Sequence, residues 1–456
     1  MKKLHNLIMV AVLSTATHIT QAQVEESQRT LAFNQAIHLA QKNDPWLLAN
    51  QHQQQSLVSL SLAAKTNPDP KLSIAFANLP TNGFDFSQEG MTQFKVGLSQ
   101  TFARGKSLTI KHSQLLLASQ QYPLQRQDRK NQLAVTVGTL WLDLYRVQQS
   151  IALINENYGL FEQLAQVAEA SYSSALGKTR QQDIVRAQLE LTRLEDKLNQ
   201  LELEQDHYHG MLTRWLSNLS LRESDQASFI KPILTVDNKL PKLELVNSKL
   251  VYQASSELDK IALLFSQHPS VKALDKKIAA SGKGIELAEQ KYQPQWGVNA
   301  SYGYRADDLL GNSRADLFSV GLVLDLPIFT ENKQDHEVKA AVSQTQAIKT
   351  EKLLLLKQLI STFTSAKGRL LRLQERQNLY KERLLPQISD QAQASLTAYT
   401  NDDGDFAEVV RARIAQLNSQ IDFLDINVKQ QQVILEINYL FAVSAINKQQ
   451  EHNYAY

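Results

Sequence analysis

Four short stretches of the chain alternate apolar and polar residues with the period of a β-strand. Between Gln293 and Arg305, Trp296, Val298, Ala300, Tyr302 and Tyr304 share one parity, and Gln295, Gly297, Asn299, Ser301 and Gly303 the other. Leu72, Ile74 and Phe76 alternate with Lys71, Ser73, Ala75 and Ala77. Phe94, Val96 and Leu98 alternate with Gln93, Lys95, Gly97 and Ser99. Phe318, Val320, Leu322, Leu324 and Leu326 stand opposite Ser319, Gly321, Val323 and Asp325, with Val323 alone out of pattern. Each segment is about nine to eleven residues, the length of a tilted strand that crosses a bilayer.

The rest of the chain repeats apolar residues at steps of three and four, as in Leu353, Leu356, Leu359, Ile360, Phe363, Leu370 and Leu373. That is the packing seam of an amphipathic helix. The pattern predicts helices over about 31–66, 181–216, 257–291 and 406–443, and two very long helical stretches from Lys106 to Gly177 and from Lys333 to Gly404. Each long stretch of about 70 residues spans about 105 Å at 1.5 Å per residue. Pro123 and Pro386 fall inside them and should kink or interrupt them.

The layout is a duplication. An offset of 224 aligns Asn43-Asp44-Pro45 with Gln267-His268-Pro269, Pro70 with Pro294, Phe94 with Phe318, and Gly97-Leu98 with Gly321-Leu322. After a short slip, an offset of 227 aligns Phe102 with Phe329, Lys106 with Lys333, Tyr172 with Tyr399, and Gly177 with Gly404. The expected organisation is one helix–strand–strand–helix–helix unit over 30–216, a second over 257–443, and an equatorial linker over 217–256 that packs around the waist. A C-terminal tail covers 444–456.

Composition sharpens this picture. Only 16 of 456 residues are glycine, about half the usual ~7%, which favours long helices. No window holds the 18 or more apolar residues of a spanning helix. Lys2 and Lys3 precede the apolar run Leu7–Leu13, and Thr20-Gln21-Ala22 forms a small-x-Ala site, so residues 1–22 read as a secretory signal peptide. Its removal takes two lysines and no acid, leaving 46 basic and 46 acidic residues. That balance argues against nucleic acid as a partner. The chain has no cysteine, which excludes disulfides, thiolate metal sites and a lipid-modified cysteine.

An exported chain with bilayer-length alternating strands reads as an outer-membrane β-barrel protein with lipid-out, lumen-in strands. Trp296, Tyr302 and Tyr304 suit its interfacial girdles, and Trp296, Val298, Tyr302, Phe318, Val320 and Leu322 are its lipid-facing residues. Alternation alone also allows a soluble antiparallel sheet packed on helices. Four strands cannot close a barrel, and an open edge in lipid leaves backbone groups unpaired. The chain is therefore expected to oligomerise in outer-membrane lipid, each copy giving four strands.

The order and spacing of several segments resemble the TolC family of outer-membrane efflux ducts. They are Asn43-Asp44-Pro45, GLSQTFARGK (97–106), LPIFTENK (326–333), LLPQISDQAQASLTAY (384–399), the glycines at 177 and 404, and LEINYLFAV (435–443). The resemblance implies a mainly α chain with a transmembrane β-barrel portion. It implies a homotrimer whose twelve-stranded barrel continues into a long periplasmic α-helical tunnel in a Gram-negative outer membrane. It also implies a periplasmic adaptor and an inner-membrane pump, of the RND type, as partners. Residues 78–102, with Met91-Thr92 before VGLSQ, resemble the branch that exports cobalt, zinc, cadmium or copper. Drug efflux and type I secretion share the same fold.

The sequence shows no catalytic constellation and no cofactor site. His207 and His209 lack further ligands at metal spacing, and His38, His52 and His268 stand isolated. The turn TNDDGDF carries Asp402, Asp403 and Asp405 at the end farthest from the strands. These aspartates form either an acidic tunnel entrance or ordinary turn chemistry. Lys178 and Arg180 of the companion turn are placed to pair with them. Gly177 and Gly404 are the expected adaptor-docking turns, with positive φ at helix C-termini. A soluble periplasmic coiled-coil scaffold is the reading from another class, and it has no use for lipid-length strands.

Overall fold

The computed structural model describes residues 30–173, 180–217, 235–253, 258–401 and 403–443. The signal peptide read at 1–22, the tail at 444–456, and Gly177, Lys178 and Asp402 lie outside the described residues.

The first unit opens with α1 (Phe33–Asn43) and α2 (Pro45–Ala63), continues through β1 (Lys71–Ala77) and β2 (Gln93–Thr101), and then α3 (Ser107–Ser119), α4 (Gln121–Ser173) and α5 (Gln181–Leu216). A short α6 (Ser248–Tyr252) belongs to the connection between the units. The second unit repeats the order: α7 (Leu258–Phe265), α8 (Pro269–Glu289), β3 (Gln295–Tyr304), β4 (Leu317–Asp325), α9 (Gln334–Leu379), α10 (Leu385–Thr400) and α11 (Phe406–Leu440). The aligned residues occupy equivalent places. Lys106 and Lys333 precede α3 and α9, and Pro70 and Pro294 stand just ahead of β1 and β3.

Local chemistry explains the breaks. Asp44 caps α2, its carboxylate accepting from Trp46 N at 3.2 Å, with Pro45 at the first helical position. Proline there has no N–H to leave unsatisfied. The same position of the second unit holds His268, whose ring accepts from Ser270 N ahead of α8. Pro123 follows the break between α3 and α4, and Pro386 follows a five-residue π-helical turn over Tyr380–Leu384. Both prolines interrupt the long helices as the sequence suggests, because neither can donate to the carbonyl four residues back.

The strands form one antiparallel sheet in the order β1-β2-β3-β4. β1, at seven residues, is shorter than the alternation suggests. The register aligns the apolar parities of all four strands: Ile74 with Val96, Val96 with Tyr302, and Tyr302 with Phe318. Beyond the sheet, the β3–β4 loop is tied onto the β1–β2 loop. Arg305 donates to Gly90 O, and Arg314 donates to Ser87 O and Glu89 O. At the other end, Arg104 pairs with Asp325 and donates to the carbonyls of Lys291 and Gln293, joining the two units where strands become helices.

The helices form a wall. α4 runs beside α5 and α11, α11 lies between α4 and α9, and α8 lies between α3 and α9. Three apolar cores hold it. In the first, Trp141 is fully buried, meets Phe33 edge-on at 5.4 Å and donates to Leu31 O at 2.8 Å. In the second, Phe265, Phe363 and Phe441 form a triangle with centroids 5.3–5.9 Å apart. Removing the Phe363 ring would cost about 3–5 kcal/mol, typical of a buried Phe→Ala change. The third runs toward the tip, from Val147 to Ala168 on α4 against Phe406, Val409 and Leu417 on α11.

Residues 235–253 cross one side of this wall as a strap. Val236 bridges to Leu31, Leu243 N donates to Gln431, Val246 N donates to Asn438, and Lys367 reaches Gln253 O. The strap thus passes from α4 over α11 to α9, and Leu243 packs on both the first and the second core.

Candidate functional site

Three parts of the wall carry the residues singled out by the sequence: the sheet, the tip and the helix breaks at the waist. On the sheet, Trp296, Val298, Tyr302, Phe318, Val320 and Leu322 lie on one face, and all are exposed. Leu72, Ile74, Phe76 and Leu98 extend the same apolar face onto the other unit's strands. Trp296 lies at the helix end of β3 and Tyr302 and Tyr304 at the loop end. Eight residues at ~3.3 Å put about 26 Å between Trp296 and Tyr304 along the strand, or about 20 Å after a 40° tilt, close to the ~25 Å apolar band of outer-membrane barrels. Near the loop end Phe76, Phe86, Phe94 and Tyr304 cluster, with Phe86 stacked on Tyr304 at 6.2 Å.

The opposite face is small and polar: Ser73, Gly97, Ser99, Asn299, Ser301, Ser319 and Gly321. Asn299 lies over Gly321, where a Cβ would sit 2.5 Å from its Oδ1. Leu317 and Val323 are the larger apolar exceptions, and Val323 is 58% exposed there. Among the described residues, β1 and β4 each have one side with no strand beside it. Because the four strands alternate in direction, β4 of one copy lies antiparallel to β1 of a neighbour placed against it.

At the tip, Asp405 caps α11, its carboxylate accepting from Ala407 N at 3.2 Å. Asp403 is exposed, and its backbone N donates to Ala398 O at 2.9 Å. Arg180 precedes α5, and its backbone N donates to Asp183 Oδ2 at 2.9 Å. Among the described residues, Arg180 makes no ion pair with Asp403 or Asp405 within one chain. The expectation of a positive φ at Gly404 is not met: among the described residues only Gly105 and Gly311 are glycines of that kind. Gly404 is needed for close approach instead, since a Cβ would come within 2.6 Å of Tyr399 N and 2.8 Å of the Ala398 carbonyl carbon.

The helix breaks at the waist are polar. The Asp44 carboxylate receives Arg129 Nε at 2.8 Å, and that guanidinium also lies 5.7 Å from the Trp46 ring and 5.5 Å from the Trp215 ring. His268 is not isolated, as its sequence setting suggested. It is 1% exposed, its Nε2 lies 3.1 Å from Tyr439 O, and its Nδ1 lies 2.7 Å from Ser270 Oγ and 4.0 Å from Asp128 Oδ1. Tyr439 donates to Asp128 at 3.0 Å. Burial pushes His268 down to about 4, raises the Asp128 carboxyl above its usual range, and raises the Tyr439 phenol. The imidazole is thus neutral, with Nε2–H as donor and Nδ1 as acceptor. Partners on α4 and α11, far away in sequence, make this cluster; the only sequence signal was its alignment with Asp44.

His38, His52 and His207 are exposed, and His209 is half-buried. Among the described residues no group of three or more His, Asp or Glu side chains could hold a metal ion. Met91 and Thr92, which carry the likeness to metal-exporting ducts, close the β1–β2 loop. Asn78, at φ 57°, donates to Met91 O, and Thr92 Oγ1 donates back to Asn78 O.

Solved outer-membrane channels share this architecture. CusC, studied for the conformational changes of folding and transmembrane channel formation, is 14% identical, with a TM-score of 0.70 over 90% of this chain and 92% of that one. The CmeC outer membrane channel of Campylobacter jejuni is 13% identical, with a TM-score of 0.70 over 92% and 89%. The outer membrane protein VceC of Vibrio cholerae is 14% identical, with a TM-score of 0.69 over 90% and 96%. No protein-family model and no curated protein matches the chain. The fold is shared with these channels: a mainly α chain with long helices and a small antiparallel sheet.

Proposed function

We propose that this chain is the outer-membrane member of a tripartite efflux system, a passive exit duct for cargo delivered by a periplasmic adaptor and an inner-membrane pump of the RND type. Three copies pair β4 with the neighbour's β1, giving a closed barrel of about twelve strands, and the helical walls close below it into a tunnel. One observation carries this reading. The four strands share a single exposed apolar face of bilayer height, and the sheet has two unpaired edges. In lipid each unpaired backbone group costs several kcal/mol, so closure with other copies is the arrangement that allows insertion. A periplasmic scaffold gives no reason for such a face.

The tip around Gly404 and Gly177 is the proposed adaptor-docking end. Asp402, Asp403 and Asp405, with Lys178 and Arg180 of the companion turn, are the proposed entrance residues. The two repeated units and the strap are the proposed domain organisation. Metal cations as cargo rest on the resemblance of residues 78–102, whose Met91 and Thr92 have a loop-closing role of their own.

Expression of the full chain in a Gram-negative host followed by fractionation tests the duct. Recovery in the outer membrane as a detergent-stable trimer that conducts in planar bilayers is the expected result. Recovery as a soluble periplasmic species would end this reading.

A further inference from the structure

A groove of about 810 Å³ runs over α11 between α4 and α9. Four cationic side chains line it, Arg369, Arg372 and Arg376 on α9 and Lys429 on α11, against the single carboxylate of Glu436. The arginines recur at i, i+3 and i+7, so they form one row along α9. Val135, Leu373 and Val433 add apolar surface, and Thr139 and Ser365 add hydroxyls.

The groove lies on the side of the wall away from the strap. On α11 the strap bonds to Gln431 and Asn438. At 100° per residue, Lys429, Val433 and Glu436 point about 140–200° away from Gln431. On α9 the strap is bonded to Lys367 and Gln374, and Ser365, Arg369, Arg372 and Arg376 point about 140–200° away from Lys367. When the wall closes into a tube, the strap side carries added chain and faces out, and the groove side faces the lumen.

Three of the four groove cations have a carboxylate partner within the chain, and only one of these pairs crosses between elements. Arg369 pairs across elements with Glu436 at 2.5 Å. Arg372–Glu375 and Lys429–Asp425 are same-helix pairs, and the Arg372 side chain is 79% exposed. Such pairs contribute little and exchange readily for another anion. Among the described residues Arg376 has no ion-pair partner; its guanidinium lies 5.9 Å from the Tyr380 ring.

We infer that this groove is a lumenal way-station for organic anions, with an apolar body against Val433 and Leu373 and an acidic head on Arg372 and Arg376. The inference rests on the duct reading and gives it a cargo class, amphiphilic anions instead of bare metal cations. Guanidinium rows suit carboxylates and sulfonates because each planar fork offers paired donors that match two oxygens of the acidic head. Solvent exposure keeps the binding weak, which a conduit requires, since tight binding would stop passage.

The test uses the purified full chain in planar bilayers with two probes of the same apolar body and opposite charge, 1-naphthalenesulfonate and 1-naphthylmethylammonium. The expected result is concentration-dependent block by the sulfonate and much weaker block by the ammonium. Arg372→Gln with Arg376→Gln should raise the half-blocking sulfonate concentration about three- to tenfold, the range expected of two exposed charge contacts. The wild-type preference should shrink at 1 M salt. Lys242→Gln with Lys249→Gln removes the same charge from the strap and should leave the block unchanged. Equal block by both probes, or an unchanged half-blocking concentration in the arginine variant, would overturn the inference while leaving the duct intact. Absence of any conductance would end the duct reading instead. Sulfonate fluorescence titration of the detergent-purified wild type and arginine variant would then decide the groove, and equal affinities would remove it.

Discussion

Arginine at Val320 should block assembly, and arginine one residue earlier should not. Val320 is 72% exposed on β4 and pairs with Ala300 on the apolar face. Phe318 and Leu324 bracket it on the same face, and it lies within one residue, about 3.3 Å, of their midpoint. A lipid-facing arginine near the midplane costs about 2–4 kcal/mol per copy, or about 6–12 kcal/mol in a trimer. That is comparable with the whole folding stability of a typical domain, about 5–15 kcal/mol. Ser319 pairs with Ser301 on the small polar face, where an arginine meets water, so its cost should stay within about 1 kcal/mol. The assay is the yield of detergent-resistant trimer in the outer-membrane fraction on unheated gels, with both variants expressed to equal total levels. Val320→Arg should lose most of the trimer and Ser319→Arg should retain it. Equal yields, or a larger loss for Ser319→Arg, would show that the faces are assigned the wrong way round.

Gly404→Val should loosen the tip without disturbing the sheet, because the new Cβ would press on the backbone of Ala398 and Tyr399. Faster amide exchange over 396–410 with an unchanged trimer yield is the expected result. Asp403→Asn with Asp405→Asn should keep the α11 cap, since asparagine caps as well as aspartate. If the tip lines an entrance, the pair should also lower cation selectivity, more at low salt than at high. The His268 site should weaken in acid. Its folded pKa of about 4 lies below the unfolded 6.5, so its contribution is whole above pH 6.5 and declines as pH falls toward 4. Between pH 7 and pH 5 the loss is about 2 kcal/mol per copy. Asp128, whose pKa is raised, runs the other way, since acid relieves the cost of its buried charge. Denaturant unfolding of His268→Gln at both pH values should show a smaller acid loss than the wild type.

Strand parity was legible because each strand has one face that must be apolar, and a one-residue slip would invert it. The interruptions near Pro123 and Pro386 were legible because proline acts locally, whereas the breaks ahead of Pro45 and Pro269 split stretches whose apolar spacing reads as single helices over 31–66 and 257–291. Gly404 was read as a positive φ and is used for close approach instead, since sequence marks a glycine without saying which of its two freedoms is used. His268 looked isolated because Asp128 and Tyr439 reach it only after α4, α8 and α11 pack together. The arginine row on α9 went unread, because i, i+3, i+7 spacing of charge is ordinary for a solvated helix face. Its meaning depends on which side of α9 the strap covers, and no local pattern encodes that.

The loop clamp beyond the sheet has a consequence for how the loop end of this protein can vary. Arg305 and Arg314 grip the β1–β2 loop through the carbonyl oxygens of Ser87, Glu89 and Gly90. Every amino acid supplies that oxygen. Replacement of side chains in this loop therefore leaves the grip untouched. The loops beyond the sheet can change their side chains while the two arginines keep their shape.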